Sequence, residues 1–317
     1  MSTIERRAAI DIGTVTTRLL VADVSERAVS EVVRHSVITH LGAGWTETGV
    51  LSEEGMARVG ETIASFLAEM DTLGVTRVTA VATSASRDAA NGAEFLDRLE
   101  AIGVRPEIIS GSREAFLTFT GATYGGCGEN TLVVDIGGGS TEIILGSPGA
   151  AADDPARVDM ARSIDVGSRR VTELFLTDDP PTARQLDRAA GWVADELRPH
   201  FGGLPARPRE MVAVAGTATS LAAIDLALEP YDPSRVHGYR LSGHALLDML
   251  QRLAETPLAQ RRQVPGLDPE RAGVIVGGAL ILQAVLAYAG LSSTLVSEHD
   301  ILYGMVLDAG SSAATGS

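Results

Sequence analysis

A glycine-rich turn between two apolar segments is the part of this sequence whose residue types most clearly suggest chemistry. Residues 132–145 read Leu-Val-Val-Asp-Ile-Gly-Gly-Gly-Ser-Thr-Glu-Ile-Ile-Leu. β-branched residues fill both arms and the glycines permit positive φ angles, so the pattern predicts a β-hairpin. Backbone N–H groups without Cβ atoms beside them, and adjacent hydroxyls, can bind an anion such as phosphate. An ordinary hairpin with a glycine turn is the alternative. The candidate phosphate-binding residues of this turn are Gly137, Gly138, Gly139, Ser140 and Thr141.

Two carboxylates flank the turn. Asp135 precedes the glycines and Glu142 follows the hydroxyl residues. Carboxylates position Mg²⁺ or its water ligands beside a phosphate, and Mg²⁺ keeps several of its waters when it binds a protein. We therefore predict that Asp135 and Glu142 hold Mg²⁺, mainly through water.

A stretch near the N-terminus repeats this arrangement. Residues 8–24 read Ala-Ala-Ile-Asp-Ile-Gly-Thr-Val-Thr-Thr-Arg-Leu-Leu-Val-Ala-Asp-Val, again two apolar arms around an Asp-x-Gly turn. Two such hairpins suggest two similar domains that face one another across a cleft, each with a phosphate loop. The candidate phosphate-binding residues of this first loop are Asp11, Gly13 and Thr14.

A third candidate is a buried-strand pattern that runs into a helix start. Residues 211–224 read Met-Val-Ala-Val-Ala-Gly-Thr-Ala-Thr-Ser-Leu-Ala-Ala-Ile. The first N–H groups of a helix have no partner within the helix and favour an anion. Gly216 and Thr217 are therefore also predicted to bind phosphate.

The elements that position these residues alternate between strands and helices, which is typical of an α/β fold. The predicted strands are three within 8–40, then 75–82, 105–110, the arms of 132–145, 157–165, the start of 211–224, and 296–297. The predicted helices are 52–73 with Ser52 as its N-cap, 88–101, 113–124, 167–175, 182–201, one after Gly216, 243–255, 271–289 and one from about 301. They divide into an N-terminal domain (1–124), a C-terminal domain (125–309), whose last helix could pack back on the first, and a disordered tail (310–317).

In this order, Asp-x-Gly-Thr, Asp-x-Gly-Gly-Gly-Ser and Ala-Gly-Thr-Ala-Thr-Ser resemble motifs of the superfamily of actin, sugar kinases and heat-shock chaperones. Within it, the sequence is similar to the exopolyphosphatase / guanosine pentaphosphate phosphohydrolase (Ppx/GppA) family. The stretches 82–91, 108–115 and 297–304 carry the narrower similarity. The resemblance implies two similar actin-like (ribonuclease H-like) α/β domains with an interdomain phosphate-binding cleft, in a short catalytic-core form.

The resemblance also implies an activity, namely release of terminal orthophosphate from inorganic polyphosphate by Mg²⁺-assisted attack of water. Guanosine pentaphosphate is the alternative substrate, and a homodimer is expected. Glu114 matches the glutamate proposed as the family's catalytic base. By position alone, Glu114 is a first-turn residue that the helix dipole favours. Arg113 stands where the family often has a second acid, which puts the local electrostatics in doubt.

Two arginines are candidate phosphate clamps. Arg18 follows the first hairpin turn, and Arg87 lies between a strand end and a helix, where open α/β sheets place their ligands. Each of them could instead form a surface ion pair.

Other function classes remain open on this fold. One is a small-molecule kinase, although compact sugar kinases often carry a Cys-rich zinc segment that a single cysteine excludes. Another is a non-catalytic, nucleotide-dependent assembly protein, although the chain offers no obvious extra interaction loops. Fold alone does not decide between these classes.

Composition limits the possible partners and compartments. The 317 residues carry a formal net charge of −15, which argues against non-specific nucleic-acid binding. All 26 basic residues are arginine, a residue that suits phosphate, although genomic base composition also explains it. With Cys127 as the single cysteine, no internal disulfide can form, so a reducing compartment, the cytoplasm, is expected. No run reaches the ~18 apolar residues of a membrane span, so no membrane association is predicted.

Overall fold

The computed structural model describes residues 4–25, 28–44, 48–149 and 156–308. The chain forms two compact units. The first runs to Gly121 and resumes at Ile301, and the second runs from Ala122 to Asp300. The division therefore falls three residues before the predicted boundary at 124/125, and the last helix belongs to the first unit. The predicted tail, 310–317, lies outside the described residues.

The first unit contains a five-stranded sheet in the order β3-β2-β1-β4-β5. Its strands are β1 (Glu5–Ile12), β2 (Thr16–Val24), β3 (Val29–Ile38), β4 (Arg77–Ala82) and β5 (Glu107–Ile108). β1, β2 and β3 form an antiparallel meander, and β4 and β5 then add in parallel. Hairpin connections join antiparallel strands, and helical crossovers join parallel ones. The connections of this unit therefore account for its mixed sheet.

Helices connect and cover this sheet. They are α1 (Glu53–Leu73), α2 (Ser84–Asp88), α3 (Gly92–Ala101), α4 (Gly111–Ala122) and α12 (Ile301–Leu307), the last helix of the described chain. The Ser52 Oγ accepts the Gly55 N–H at 3.1 Å, so Ser52 is the N-cap of α1 as predicted. Gly74, at φ 68°, ends this helix in the left-handed conformation that glycine adopts without strain.

The second unit contains a six-stranded sheet whose order, read from its meander, is β8-β7-β6-β9-β11-β10. Its strands are β6 (Thr131–Ile136), β7 (Thr141–Ser147), β8 (Arg157–Ile164), β9 (Glu210–Val214), β10 (Arg240–Ser242) and β11 (Ser293–Val296). β6, β7 and β8 are antiparallel to one another, while β9 and β11 extend the sheet in parallel. This repeats the arrangement of the first unit, as the paired motifs predicted.

The helices of the second unit share one large core. They are α5 (Ser168–Phe175), α6 (Ala183–Phe201), α7 (Ala215–Asp225), α8 (Pro233–Val236), α9 (Gly243–Glu255), α10 (Leu258–Arg261) and α11 (Ile275–Ala289). α11 is buried along most of its length. Gly277 and Gly278 let it approach closely, since a Cβ there would lie 2.5 Å from the Ser168 carbonyl oxygen and 2.6 Å from the Thr217 side chain.

The structure corrects several predicted elements. The helix predicted over 88–101 begins later, at Gly92, as α3, and a separate short helix, α2, ends at Asp88. The Asn91 amide bonds both backbone groups of Leu51, at 2.8 and 3.0 Å, and a Cβ at Gly92 would lie 2.2 Å from the Ser86 carbonyl oxygen. α11 begins at Ile275 rather than at 271, and α8, β10 and α10 were not predicted. None of the helices in the described ranges is long and apolar enough to cross a bilayer.

Candidate functional site

The candidate residues of the second unit meet at one edge of its sheet. β6, β9 and β11 are parallel neighbours, so their carboxyl ends lie side by side. The chain leaves these ends through the glycine turn after β6, through Ala215 and Gly216 after β9, and through Ser297 after β11. This edge is where open α/β sheets bind ligands.

The glycine turn is a tight connection between β6 and β7. Asp135 pairs with Glu142 and Ile136 with Thr141 across the hairpin, and the Gly137 N–H donates to the Ser140 carbonyl oxygen at 3.0 Å. The predicted hairpin is confirmed, although none of the three glycines uses the left-handed φ region that glycine permits. Close approach explains the glycine at 137, where a Cβ would lie 3.3 Å from the Ser140 carbonyl oxygen.

The first turn of α5 orients this glycine turn. The Ser168 N–H donates to the Gly137 carbonyl oxygen at 2.9 Å, and the Arg169 and Arg170 N–H groups donate to that of Gly138 at 3.0 and 3.1 Å. In a planar trans peptide the N–H points opposite to the C=O. Because both carbonyls face α5, the Gly138 and Gly139 N–H groups face away from that helix.

These two N–H groups have the character of an anion site. Among the described residues, no protein acceptor is found for either of them. A Cβ at Gly139 would meet no atom within 4 Å, and one at Gly138 would meet only the Arg169 Cβ, at 3.7 Å. The turn therefore presents bare backbone donors to an open space, which a phosphate oxygen can approach.

Glu142 is held by two hydroxyl groups. Ser140 Oγ and Ser163 Oγ both donate to its Oε1, at 2.8 and 2.7 Å. Asp135 lies opposite Glu142 in the strand pairing. Among the described residues, no group of three or more His, Cys, Asp or Glu side chains could hold a metal ion. A cross-strand pair of carboxylates still fits Mg²⁺, which binds through one or two carboxylates and retains waters.

Two threonine hydroxyls point into the protein rather than to this open space. Thr141 is fully buried and its hydroxyl donates to the Val166 carbonyl oxygen at 2.5 Å. Thr217 is 6% exposed and its hydroxyl donates to the Ile136 carbonyl oxygen at 3.4 Å. Their hydroxyls brace the strand ends that carry the turn, and phosphate binding at Thr141 and Thr217 stays a prediction.

Gly216 lies under an arginine that the sequence analysis did not identify. The turn into α7 is sharp, with Ala215 at φ 62°. A Cβ at Gly216 would lie 1.1 Å from Nη1 of Arg271, so the guanidinium group rests directly on this glycine. Arg271 is half exposed and precedes α11, which brings a positive charge to the N-terminus of α7. In the sequence, Arg271 was distinguished only as a charged residue that precedes a long apolar helix.

A cavity of about 580 Å³ opens beside Arg271 within the second unit. Its lining includes Tyr231, Arg262 and Glu298. The Tyr231 hydroxyl donates to the Glu298 carboxylate. Burial raises the pKa of the Tyr231 phenol, and the neighbouring Glu298 charge raises it further. The phenol therefore stays a neutral donor at physiological pH.

The first hairpin repeats the backbone geometry of the glycine turn. The Gly13 N–H donates to the Thr16 carbonyl oxygen at 2.9 Å, and Asp11 faces Arg18 across the strands, as Asp135 faces Glu142. The Gly42 N–H donates to the Thr14 carbonyl oxygen at 2.8 Å, which fixes the turn to the loop after β3.

Arg18 forms an ion pair within this hairpin. Its Nη2 and Nε lie 2.5 and 3.0 Å from Oδ2 of Asp11. Asp11 is 4% exposed, and its other oxygen, Oδ1, is buried with no hydrogen-bond partner among the described residues. Arg18 therefore forms an ion pair, with a buried rather than a surface carboxylate, and its role as a phosphate clamp stays a prediction.

Arg87 and Glu114 come together at the carboxyl ends of β4 and β5. Arg87 Nη1 donates to the Ile109 carbonyl oxygen at 3.3 Å, while its other nitrogens bond Asp88 at 3.0 and 3.2 Å. The Glu114 N–H donates to the Ser110 carbonyl oxygen at 2.9 Å in the first turn of α4. The Arg87 guanidinium thus lies against the segment that leads into the helix carrying Glu114.

Arg113 is neutralised locally. Its guanidinium pairs with the Asp308 carboxylate and lies 5.4 Å from the centre of the Phe116 ring. The Ser110 hydroxyl accepts the Arg113 N–H at 3.2 Å. The positive charge that replaces the family's frequent acid is therefore balanced by a carboxylate that follows α12.

Comparisons with known proteins agree with this geometry. A model of the Ppx/GppA phosphatase family matches residues 20–309. Exopolyphosphatase 2 from Mycobacterium tuberculosis is 37% identical, over 95% of this chain and 98% of that protein. The crystal structure of the Aquifex aeolicus member of the Ppx/GppA family aligns with a TM-score of 0.85 at 30% identity, covering 96% of this chain and 97% of that one. An exopolyphosphatase from Cytophaga hutchinsonii aligns with a TM-score of 0.81 at 25% identity, over 95% and 96%.

These similarities confirm the predicted fold class of two actin-like α/β domains. The cleft expected between the domains stays a prediction. The family match, the curated relative and the two solved structures each cover nearly the whole chain. This chain belongs to the Ppx/GppA phosphatase family.

Proposed function

We propose that this phosphoanhydride hydrolase releases terminal orthophosphate from inorganic polyphosphate. The observation that carries the proposal is the orientation of the glycine turn. Its Gly137 and Gly138 carbonyls are bonded to α5, so the Gly138 and Gly139 N–H groups face an open space where a phosphoryl group can bind. A relative that is 37% identical over 95% of this chain is named exopolyphosphatase 2, and a solved structure at 25% identity is also named an exopolyphosphatase, which supports polyphosphate over other phosphoanhydrides.

Glu114 is the proposed general base. Water attacks the terminal phosphorus, the bond from that phosphorus to the bridging oxygen breaks, and the shortened chain leaves with the bridging oxygen. Glu114 takes the proton of the attacking water. Glu114 lies in the first turn of α4, next to Arg113, whose charge is balanced by Asp308. Glu114 is therefore the carboxylate proposed for this task.

Positive charge on the phosphoryl groups comes from arginine in this proposal. Arg87 Nη1 reaches the segment before α4, and Arg271 rests on Gly216. Fixed charges of this kind stabilise the charge that spreads over the phosphoryl oxygens in the transition state. Arg18 acts differently, because its ion pair with Asp11 braces the first hairpin.

Mg²⁺ is proposed as the cofactor. Asp135 and Glu142 would hold it, and Glu142 is pre-oriented by the Ser140 and Ser163 hydroxyls. Bound there, the ion would neutralise charge on the substrate's phosphate oxygens.

The test measures phosphate release from phosphoanhydrides of graded length, including guanosine pentaphosphate and ATP. The expected result is turnover of polyphosphate that falls 10²–10⁴-fold, roughly, in Glu114→Gln, which keeps the shape but loses the basicity. Polyphosphate affinity should hold or improve, because a negative charge leaves a polyanion site. Glu61→Gln removes the same charge from an exposed position on α1 and should leave turnover unchanged.

Two outcomes would contradict the proposal. Parental turnover in Glu114→Gln would remove this residue from the mechanism. Release of phosphate from guanosine pentaphosphate but not from polyphosphate would assign the alternative substrate instead. The homodimer likewise stays a prediction, which sedimentation velocity can test.

A further inference from the structure

Arg169 lies in the first turn of α5, against the carbonyl side of the glycine turn. Its backbone N–H donates to the Gly138 carbonyl oxygen at 3.0 Å, which fixes residue 169 against the turn. A Cβ at Gly138 would lie 3.7 Å from the Arg169 Cβ. Gly167 allows this approach, because a Cβ at that position would lie 2.4 Å from the backbone of Gly138 and Gly139. The Arg169 side chain therefore starts within van der Waals distance of the turn, on its α5 side, and an exposed arginine is long enough to extend past a single residue of the turn.

The charge of Arg169 is not neutralised by a neighbouring carboxylate among the described residues. The side chain is exposed, and no described Asp or Glu lies within ion-pair distance of it. By contrast, Arg18 pairs with the buried Asp11 carboxylate, and Arg87 and Arg271 each have an exposed aspartate within ion-pair distance. An exposed, unengaged guanidinium pays little desolvation to bind a new anion and keeps its planar fork for two phosphate oxygens.

The overall charge makes such a residue necessary for a chain-like anion. With a net charge of −15, the protein repels polyphosphate at long range. The two outward N–H groups of the turn can bind one phosphoryl group, so a chain-like anion needs further positive charge for its next phosphoryl group. A local cation at the rim of the turn offsets that repulsion where the substrate binds.

We propose that Arg169 binds a phosphoryl group of the polyphosphate chain adjacent to the one held by the glycine turn. This inference rests on the proposed function. Arg169 is then a substrate-positioning residue whose contact forms on binding and persists in the transition state. Such uniform binding lowers KM and leaves kcat nearly unchanged.

The experiment compares Arg169→Ala, Arg169→Lys and the control Arg252→Ala in steady-state polyphosphate hydrolysis across a range of salt concentrations. Arg252 is an exposed arginine on α9, so its removal changes the net charge equally. We expect Arg169→Ala to raise KM about tenfold with kcat within about twofold. The slope of log KM against log salt should become shallower by about one, because one counterion-releasing contact is lost. Arg169→Lys keeps the charge, so it should restore the salt slope of the parent protein. Its KM should lie between those of the parent protein and Arg169→Ala.

The outcomes separate this inference from the function on which it rests. A parent protein that does not hydrolyse polyphosphate contradicts the proposed function. A parent protein that does, with Arg169→Ala matching Arg252→Ala in KM and salt slope, overturns the role of Arg169 and leaves the function standing. A fall in kcat at unchanged KM would also overturn it, since that pattern indicates a disturbed turn rather than a lost substrate contact. Thermal unfolding of each variant confirms that the fold is retained.

Discussion

Replacing Gly138 by alanine should separate phosphate binding from folding. A Cβ at this position would meet only the Arg169 Cβ, at an ordinary contact distance of 3.7 Å, and φ is outside the left-handed region. The fold should therefore accept the methyl group. Where the backbone is compatible, Gly→Ala stabilises a protein by about 0.4–1 kcal/mol, because the unfolded chain loses freedom.

The same methyl group should impair catalysis. It would stand beside the N–H groups of Gly138 and Gly139, which face the open side of the turn. A hydrogen bond to a charged group contributes about 1.5–3 kcal/mol, so losing one such bond to phosphate should lower kcat/KM by roughly 10- to 150-fold. Phosphate release and thermal unfolding, measured on the same preparation, check the two halves of the prediction.

Gly167→Ala is the matched comparison. Its Cβ would lie 2.4 Å from the Gly138 carbonyl carbon and oxygen, which are backbone atoms and cannot rotate away. This variant should lose both activity and about 1–3 kcal/mol of stability. A Gly138→Ala protein with an unchanged fold and full activity would refute the close approach of phosphate to the turn. A large loss of stability in Gly138→Ala would refute the packing argument instead.

Further predictions concern metal, packing and thiol reactivity. Chelation of Mg²⁺ should abolish phosphate release and Mg²⁺ should restore it, whereas full activity in excess chelator would remove Asp135 and Glu142 from the proposed role. Gly304→Ala should lower the free energy of unfolding in urea by about 1–3 kcal/mol, because its Cβ would lie 1.9 Å from the Leu117 carbonyl oxygen; an unchanged urea midpoint would contradict this. Burial, assisted by Glu210, raises the pKa of Cys127 to about 11, so alkylation at pH 8 should be slow in the native protein and fast in urea. Since the folded pKa is the higher one, the stability linked to this thiol is present below about pH 9 and is lost as the pH rises through about 11.

Short-range chemistry made much of the fold and part of the site predictable. Apolar, β-branched arms around an Asp-x-Gly turn favour a hairpin, so both turns and the repeated architecture could be predicted. Helix starts could also be predicted, because their capping hydrogen bonds are local. Ser52 accepts its own helix N–H, and Thr182 forms a capping box with Gln185, within a few residues of chain.

Tertiary structure alone decided which predicted groups can reach a ligand. Thr141 and Thr217 lie in the predicted motifs, yet the Val166 and Ile136 carbonyls turn their hydroxyls inward. A buried hydroxyl takes whichever acceptor the packed neighbours supply, and the motif does not encode that acceptor.

Tertiary structure also brought in residues that no motif contains. Arg271 rests on Gly216, Arg169 stands beside Gly138, and Asp308 neutralises Arg113. Arg169 lies on α5, Arg271 just before α11 and Asp308 just after α12, so each charge is brought in by a helix that is distant in sequence from its partner. The sequence by itself determined the turns and the hairpins around them, because local hydrogen bonds and hydrophobic periodicity act over a few residues. The charges around the turns depend on helix packing, because electrostatic contacts form only between elements that the core has already placed side by side.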